Sequence, residues 1–216
     1  MSRLLHRVKR RGGEAGFSVL ELVIAASILL IVLAVFGNTM ISLGNTEVRS
    51  QALVANEQNT RFVLDQLTRE IRAANPLVAL GSLSSYSNSL ELELGPVGGS
   101  QKVVRWLYDT TTGSPTYKEL VRQVMSDATT SATVVSQAVV LTSVRNAESS
   151  TPVFTYYGQS GDDLVGSGSF TAADVANCAV QVHITIVANP NPGPQPFTAN
   201  TDAEIRNRLP GGVGCG

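Results

Sequence analysis

Side chains able to do acid–base or nucleophilic chemistry are sparse in this sequence. Its two histidines, His6 and His183, are not accompanied by a catalytic motif. There is no Gly-x-Ser-x-Gly elbow, no phosphate-binding glycine loop that ends in Lys, and no Cys/His cluster with zinc spacing. His183 lies on the polar face of a predicted strand, where we expect it to be exposed or hydrogen bonded. The sequence therefore predicts that the protein is not an enzyme and holds no cofactor.

Three aspartates, Asp162, Asp163 and Asp174, are the remaining candidates for binding a cation. Calcium takes several carboxylate and carbonyl oxygens, but the spacing of these residues follows no ligand pattern. Two of them lie in a loop rich in Gly and Ser, from 158 to 169. We therefore expect a solvated acidic loop and predict no metal site.

The chain has two cysteines, Cys178 and Cys215. An even number of cysteines in an exported protein is compatible with one disulfide, and two unrelated thiols are the alternative. In the chain-entropy model, a bridge that closes a loop of this size stabilises the fold by roughly 3–4 kcal/mol. We predict that the two residues pair if this part of the chain is exported.

Glu21 is the one charged residue in a long apolar run, from Phe17 to Phe36. A run of this length spans a bilayer as a helix. Five basic residues crowd the first eleven positions, so we expect the amino terminus to stay in the cytoplasm and the rest to be exported. A carboxylate within the hydrocarbon costs about 2.5–3.5 kcal/mol on insertion scales and is usually kept for function. Glu21 is therefore the strongest candidate for a functional residue.

Two ordinary explanations of the apolar run compete with a specialised one. A secretory signal peptide would end at small residues such as Ala25-Ala26-Ser27, but the strongest apolar stretch follows that point. A plain single-pass anchor fits the length of the run and leaves Glu21 unexplained.

The residues Gly16-Phe17-Ser18-Val19-Leu20-Glu21 resemble the processing site of the type IV prepilin family. In that family a short basic leader ends in Gly, Phe usually opens the mature chain, and Glu stands at its fifth position. The resemblance implies that prepilin peptidase cuts between Gly16 and Phe17, and that the new amino group of Phe17 is methylated. It also implies that Glu21 of one subunit meets the Phe17 ammonium of a neighbour in a filament. Such a buried pair would set the axial register between subunits.

A long helix is predicted from Phe17 to about Ala74. Residues 37–45 have weaker helix propensity and indicate a flexible stretch or a local break. Beyond them, four charged residues alternate in sign at four-residue spacing and predict one charged stripe: Glu57, Arg61, Asp65 and Arg69. An apolar stripe on another face consists of Val63, Leu64, Leu67, Ile71 and Ala74. Pro76 is expected to end the helix.

The region after Pro76 predicts short strands separated by turn residues. The candidate strands are residues 90–94, 102–108, 117–125, 133–141, 153–157 and 178–188. The predicted fold class is α+β and pilin-like, with the long helix packed on a mostly antiparallel β-sheet. We expect a leader peptide at 1–16, a transmembrane or filament-core helix at 17–44, an amphipathic second half of the helix at 45–76, and a β-rich head domain at 77–216.

Two further segments, 61–74 and 203–208, are similar to PilW-type minor pilins and J-type minor pseudopilins of type II secretion. The resemblance implies a minor structural subunit of a type IV pilus or a secretion pseudopilus, held in the inner membrane before assembly. Its expected partners are other pilin or pseudopilin subunits, prepilin peptidase, an inner-membrane assembly platform and the membrane. After residue 16 the chain carries 11 basic and 16 acidic side chains, so nucleic acid is not indicated. The alternative is a single-pass membrane-anchored extracytoplasmic binding domain unrelated to pili.

Overall fold

The computed structural model describes residues 18–74, 77, 86–95, 102–126, 132–167, 170–189 and 196–206. These residues form, in chain order, α1 (Val19–Ala73), β1 (Ser89–Leu94), β2 (Lys102–Tyr108), β3 (Leu120–Met125), β4 (Val134–Leu141), β5 (Phe154–Tyr157), α2 (Ala172–Cys178), β6 (Gln181–Ala188) and β7 (Phe197–Glu204). The paired strands run antiparallel. The predicted α+β class, with one long amino-terminal helix, is therefore confirmed. The chain divides into two compact units, residues 1–48 and 49–216, and α1 contributes to both.

In the first unit, α1 continues through the stretch of weak helix propensity at 37–45. Thr39 Oγ1 donates to the Val35 carbonyl at 2.8 Å, and Thr46 Oγ1 donates to the Ser42 carbonyl at 2.9 Å. Each hydroxyl thus bonds to the preceding turn of its own helix. A helical glycine costs only about 1 kcal/mol relative to alanine, which good helix formers nearby can offset. No local break is found in this stretch.

In the second unit, the predicted apolar stripe of α1 is confirmed as the contribution of the helix to the core. Val63, Leu67 and Ile71 are at most 3 % exposed. They belong to one buried cluster with apolar residues from both sheets. The helix ends at Ala73, close to the end that Pro76 predicted. The buried stripe is the reason that this half of α1 needs no covering from outside the chain.

A carboxylate beside the apolar stripe joins α1 to the first sheet. Glu70 accepts hydrogen bonds from Trp106 Nε1 at 2.7 Å and from Arg122 Nε at 2.9 Å. Trp106 on β2 is fully buried, and the side chains of Glu70 and Arg122 are mostly buried. Hydrogen bonds in which the donor or the acceptor is ionised are stronger than those between two neutral groups. This network therefore fixes the rotation of α1 over the sheet.

The strands form two sheets, whereas the sequence predicted one. The first sheet has the order β1-β2-β3-β4 and the second has the order β5-β6-β7. The two sheets contribute to one buried core. A hydrogen bond also joins them, since the Tyr156 hydroxyl on β5 donates to the Ser89 carbonyl on β1 at 2.7 Å. The Tyr156 ring also lies edge-on to Tyr86, with the ring centroids 5.4 Å apart. Burial raises the pKa of Tyr156 well above its usual range, so its hydroxyl stays protonated and keeps donating.

The Asn146 side chain supplies hydrogen bonds to β6 at a point on its edge where no strand among the described residues is paired. β5 pairs with the first half of β6, and Val144 forms a bridge with Ala188 at its end. Between these two pairings, the Asn146 side chain accepts from the Val187 N–H at 2.8 Å and donates to the Thr185 carbonyl at 2.7 Å. Its amide therefore substitutes for the backbone ladder, as a fully buried polar group should.

Two elements differ from the sequence prediction. The strand predicted at 178–188 begins only at Gln181, because Thr171 and Asp174 form a capping box that starts α2 and carries it to Cys178. The last strand, β7, was not predicted. Its sequence, FTANTDAE, is mostly polar, and its strand conformation comes from pairing with β6 over its whole length.

The other predicted strands agree closely with the structure. β2 has the predicted bounds, and β1, β4 and β5 begin within one residue of the prediction. β3 begins at Leu120 and not at 117, because Lys118 adopts a left-handed backbone with a φ of 63° and interrupts the extended run. Along β6, Val182, Ile184 and Ile186 are buried, as the alternation predicted.

Candidate functional site

The first turn of α1 holds the predicted site residue Glu21 next to a helix cap. The helix begins at Val19, and Ser18 Oγ accepts a hydrogen bond from the Leu20 N–H at 3.2 Å. The Leu22 N–H donates to the Ser18 carbonyl at 3.1 Å and closes the first turn. Ser18 is therefore the N-cap residue, and Glu21 is the third residue of the helix.

Glu21 consequently has a local role that was not predicted. A carboxylate in the first turn interacts favourably with the positive end of the helix dipole, by about 0.3–1 kcal/mol at exposed sites. The sequence carried the signal, because Ser18-Val19-Leu20-Glu21 has the Ser-x-x-Glu spacing of a capping box. Both this interaction with the dipole and the predicted pairing with an ammonium need the negative charge of Glu21.

The helix that follows Glu21 is apolar on all sides and uncovered. Every large apolar side chain from Val19 to Leu43 is at least 53 % exposed. Among the described residues, α1 is the one helix that is long and apolar enough to cross a membrane, by length and composition. An apolar surface of this extent is unfavourable in water and indicates contact with lipid or with other helices.

Several predicted site residues lie outside the described residues. Gly16 and Phe17 precede the described part of α1, so the cleavage and methylation sites stay predictions. Cys178 is buried at the end of α2. Its predicted partner, Cys215, also lies outside the described residues, so the disulfide stays a prediction.

The three aspartates considered for a cation serve turns and a cap. Asp163 Oδ1 accepts hydrogen bonds from the Val165 N–H at 3.0 Å and the Gly166 N–H at 2.8 Å. Asp162 accepts from the Ser160 hydroxyl at 2.5 Å. Within the described ranges, no group of three or more His, Cys, Asp or Glu side chains is placed to hold a metal ion.

Asp174 is the acidic member of the α2 capping box. It accepts from the Thr171 hydroxyl at 2.6 Å and from the Thr171 N–H at 2.8 Å. These hydrogen bonds lower the pKa of the Asp174 carboxyl. The carboxylate is therefore committed to starting a helix.

His183 is also accounted for within the fold. Its Nδ1 lies 2.8 Å from Asp202 Oδ1 on the neighbouring strand β7, and the pair faces the exposed side of the second sheet. This agrees with the expected exposed or hydrogen-bonded side chain.

The fold and the exposed apolar surface of α1 together define an α+β protein with a long, uncovered apolar helix in its amino-terminal part. Comparison of the chain with family models, with curated proteins and with solved structures finds no match. Its function is therefore inferred from residues 16–21 and from the surfaces of α1.

Proposed function

We propose that this chain is a minor subunit of a type IV pilus or of a type II secretion pseudopilus. The observation that carries the proposal is the motif Gly16-Phe17-Ser18-Val19-Leu20-Glu21 directly at the head of an apolar helix. A basic leader, a Gly-Phe junction and a single Glu four residues later resemble a prepilin more specifically than any signal peptide. The uncovered apolar surface of α1 supports the proposal, because a filament subunit needs such a helix for packing.

Processing gives the motif a physical role. A cut after Gly16 removes the basic cluster that orients the chain and leaves the apolar helix attached, so the product stays anchored. It also creates an ammonium at Phe17. In a bundle of apolar helices, that ammonium and the Glu21 carboxylate of a neighbour are far more stable as a pair than as separate buried charges.

The second unit, residues 49–216, is the β-rich unit. It is the part that α1 would present outside the cytoplasm. The basic residues before the apolar run favour that orientation. The partners in this scheme are prepilin peptidase, the inner-membrane assembly platform and other pilin or pseudopilin subunits. The membrane holds the subunit before assembly, and the filament holds it afterwards.

The direct test is mass spectrometry of the amino terminus in cells with active prepilin peptidase. We expect a mature chain that begins at Phe17 with a methylated amino group. Gly16→Val should leave residues 1–16 attached, whereas Gly13→Val, a matched change in the same leader, should be processed normally. An unaltered chain that keeps residues 1–16 would favour the alternative, a membrane-anchored binding domain unrelated to pili.

The role of Glu21 is tested with two substitutions. Glu21→Ala removes the side chain together with its charge, and Glu21→Gln keeps the size of the side chain but removes the charge. We expect both variants to insert in the membrane and to be incorporated poorly into filaments, measured by immunoblotting of sheared fibres. Normal incorporation of the Gln variant would show that charge pairing does not set the register.

A further inference from the structure

The charged stripe of α1 consists of Glu57, Arg61, Asp65 and Arg69. Its members stand four residues apart and alternate in sign, so the pattern repeats every eight residues. Their side chains are 40–74 % exposed. Within one chain they form the pairs Glu57–Arg61, at 2.5 Å, and Asp65–Arg69. Exposed pairs of this kind contribute little to the stability of an isolated helix.

We propose that this stripe is a docking surface for α1 of a second copy of the chain, displaced along the helix axis by four residues. Two parallel stripes without displacement would place like charges side by side at all four positions. A displacement of four residues, about 6 Å, instead places Arg61 of one copy beside Glu57 of the other. The same displacement places Asp65 beside Arg61 and Arg69 beside Asp65. The stripe therefore rejects one register and accepts another, which is what complementary charge does best at an interface.

The parallel orientation rests on the proposed function. Copies anchored in one membrane with the same orientation hold their amino-terminal helices parallel. Antiparallel stripes would match without displacement, but they would require opposite insertion. Counted along the sequence, four residues also separate Phe17 from Glu21. A four-residue displacement is thus the one that would bring Glu21 of one copy level with Phe17 of the other.

An exposed aromatic side chain lies beside the stripe. Phe62, the neighbour of Arg61, is 68 % exposed, although it sits on the half of α1 that packs against the core. At the proposed displacement, Phe62 of one copy is level with Gln58 of the other. Docking would therefore remove part of an exposed aromatic ring from water while the charges set the register.

Disulfide cross-linking of the whole chain in membranes measures the displacement directly. Gln58→Cys and Phe62→Cys are exposed positions beside the stripe and are carried on two differently tagged copies. We expect the mixed 58–62 product to exceed the 58–58 and 62–62 products severalfold. The preference should disappear at about 1 M salt, where the Debye length is about 3 Å. An excess of 58–58 and 62–62 products would overturn the proposal. Leu33→Cys, in the exposed apolar part of α1, is the control for association of the helices. Cross-links at Leu33→Cys without any at positions 58 and 62 would also overturn the proposal.

A matched variant separates docking from helix stabilisation. Inverting all four charges, with Glu57→Arg, Arg61→Glu, Asp65→Arg and Arg69→Asp, preserves every pair within the helix. We expect inverted copies to cross-link with one another in the displaced pattern. An inverted and an unaltered copy should instead give the undisplaced 58–58 and 62–62 products, because opposite charges then face each other at all four positions. A displaced 58–62 product between an inverted and an unaltered copy would show that the stripe acts only within its own helix. Processing at Phe17 with undisplaced cross-links would overturn this inference alone, whereas retention of residues 1–16 would overturn the proposed function.

Discussion

The two halves of α1 contain the same kinds of aliphatic side chain in different surroundings. From Val19 to Leu43, every large apolar side chain is at least 53 % exposed, whereas Val63, Leu67 and Ile71 are at most 3 % exposed. The sequence pattern explains the contrast. The first half is apolar on all sides, and the second half is apolar along one stripe. One face of a helix can be covered by the sheets of the same chain, but a helix that is apolar all round has to be surrounded.

This contrast separates two sources of stability along one helix. The second half draws its stability from the core of the β-rich unit. No described residue of the first half belongs to that core, and the exposed apolar surface of the first half indicates stabilisation by lipid or by other helices. Substitutions in the two halves should therefore affect different measurements, and for the same reason their expected effects on the free energy of unfolding differ in size.

The largest effect is expected from truncating a core residue. Leu67→Ala should lower the free energy of unfolding of the β-rich unit by about 2–5 kcal/mol, because it leaves a cavity under a fully buried side chain. Leu30→Ala makes the same chemical change on an exposed part of α1 and should alter that free energy by less than about 0.5 kcal/mol.

Urea unfolding in detergent, followed by fluorescence, measures both variants. Trp106 is the only tryptophan of the chain and is fully buried, so its emission reports on the core. Equal losses for the two variants would contradict the separation of the two halves of α1.

The core stripe could be read from the sequence because its period is that of a helix. The same is true of β2 and of the buried residues of β6, where alternation matched the pleat. α2 was missed although Thr171 and Asp174 have capping-box spacing, because the apolar alternation further along favoured a strand. β7 could not be predicted, since its conformation depends on a partner strand and not on its own side chains.

The site on α1 was predictable for a different reason. Gly16, Phe17 and Glu21 form a local motif, so their spacing in the sequence is sufficient to suggest a role. Contacts between distant residues leave no such signal. Glu70 meets Trp106 and Arg122 only because α1 packs on the first sheet, and nothing in its local sequence marks it out from the exposed acidic residues of the same helix.

An intermediate effect is expected at Glu70. Glu70→Ala should lower the free energy of unfolding by about 1–3 kcal/mol, because it leaves the Trp106 N–H and the Arg122 guanidinium without their acceptor in a mostly buried setting. Glu57→Ala removes an exposed partner of Arg61 on the same helix and should cost less than about 1 kcal/mol. The same fluorescence-detected unfolding compares them. A loss at Glu57 as large as that at Glu70 would mean that the exposed stripe also stabilises the single chain.

The smallest effect is expected at the α2 cap and should depend on pH. The hydrogen bonds from Thr171 lower the pKa of Asp174 in the folded state. Because the folded pKa lies below the unfolded value of about 3.9, the cap stabilises α2 at higher pH and this contribution is lost as the pH falls below about 4. An NMR titration of Asp174 should show the depressed pKa, and the α2 amides should be less protected from hydrogen exchange at low pH, relative to the intrinsic exchange rate at each pH. Thr171→Val should return the pKa towards its ordinary value and leave the exchange of the buried half of α1 unchanged. An unchanged pKa in that variant would show that Thr171 is not the cause of the shift.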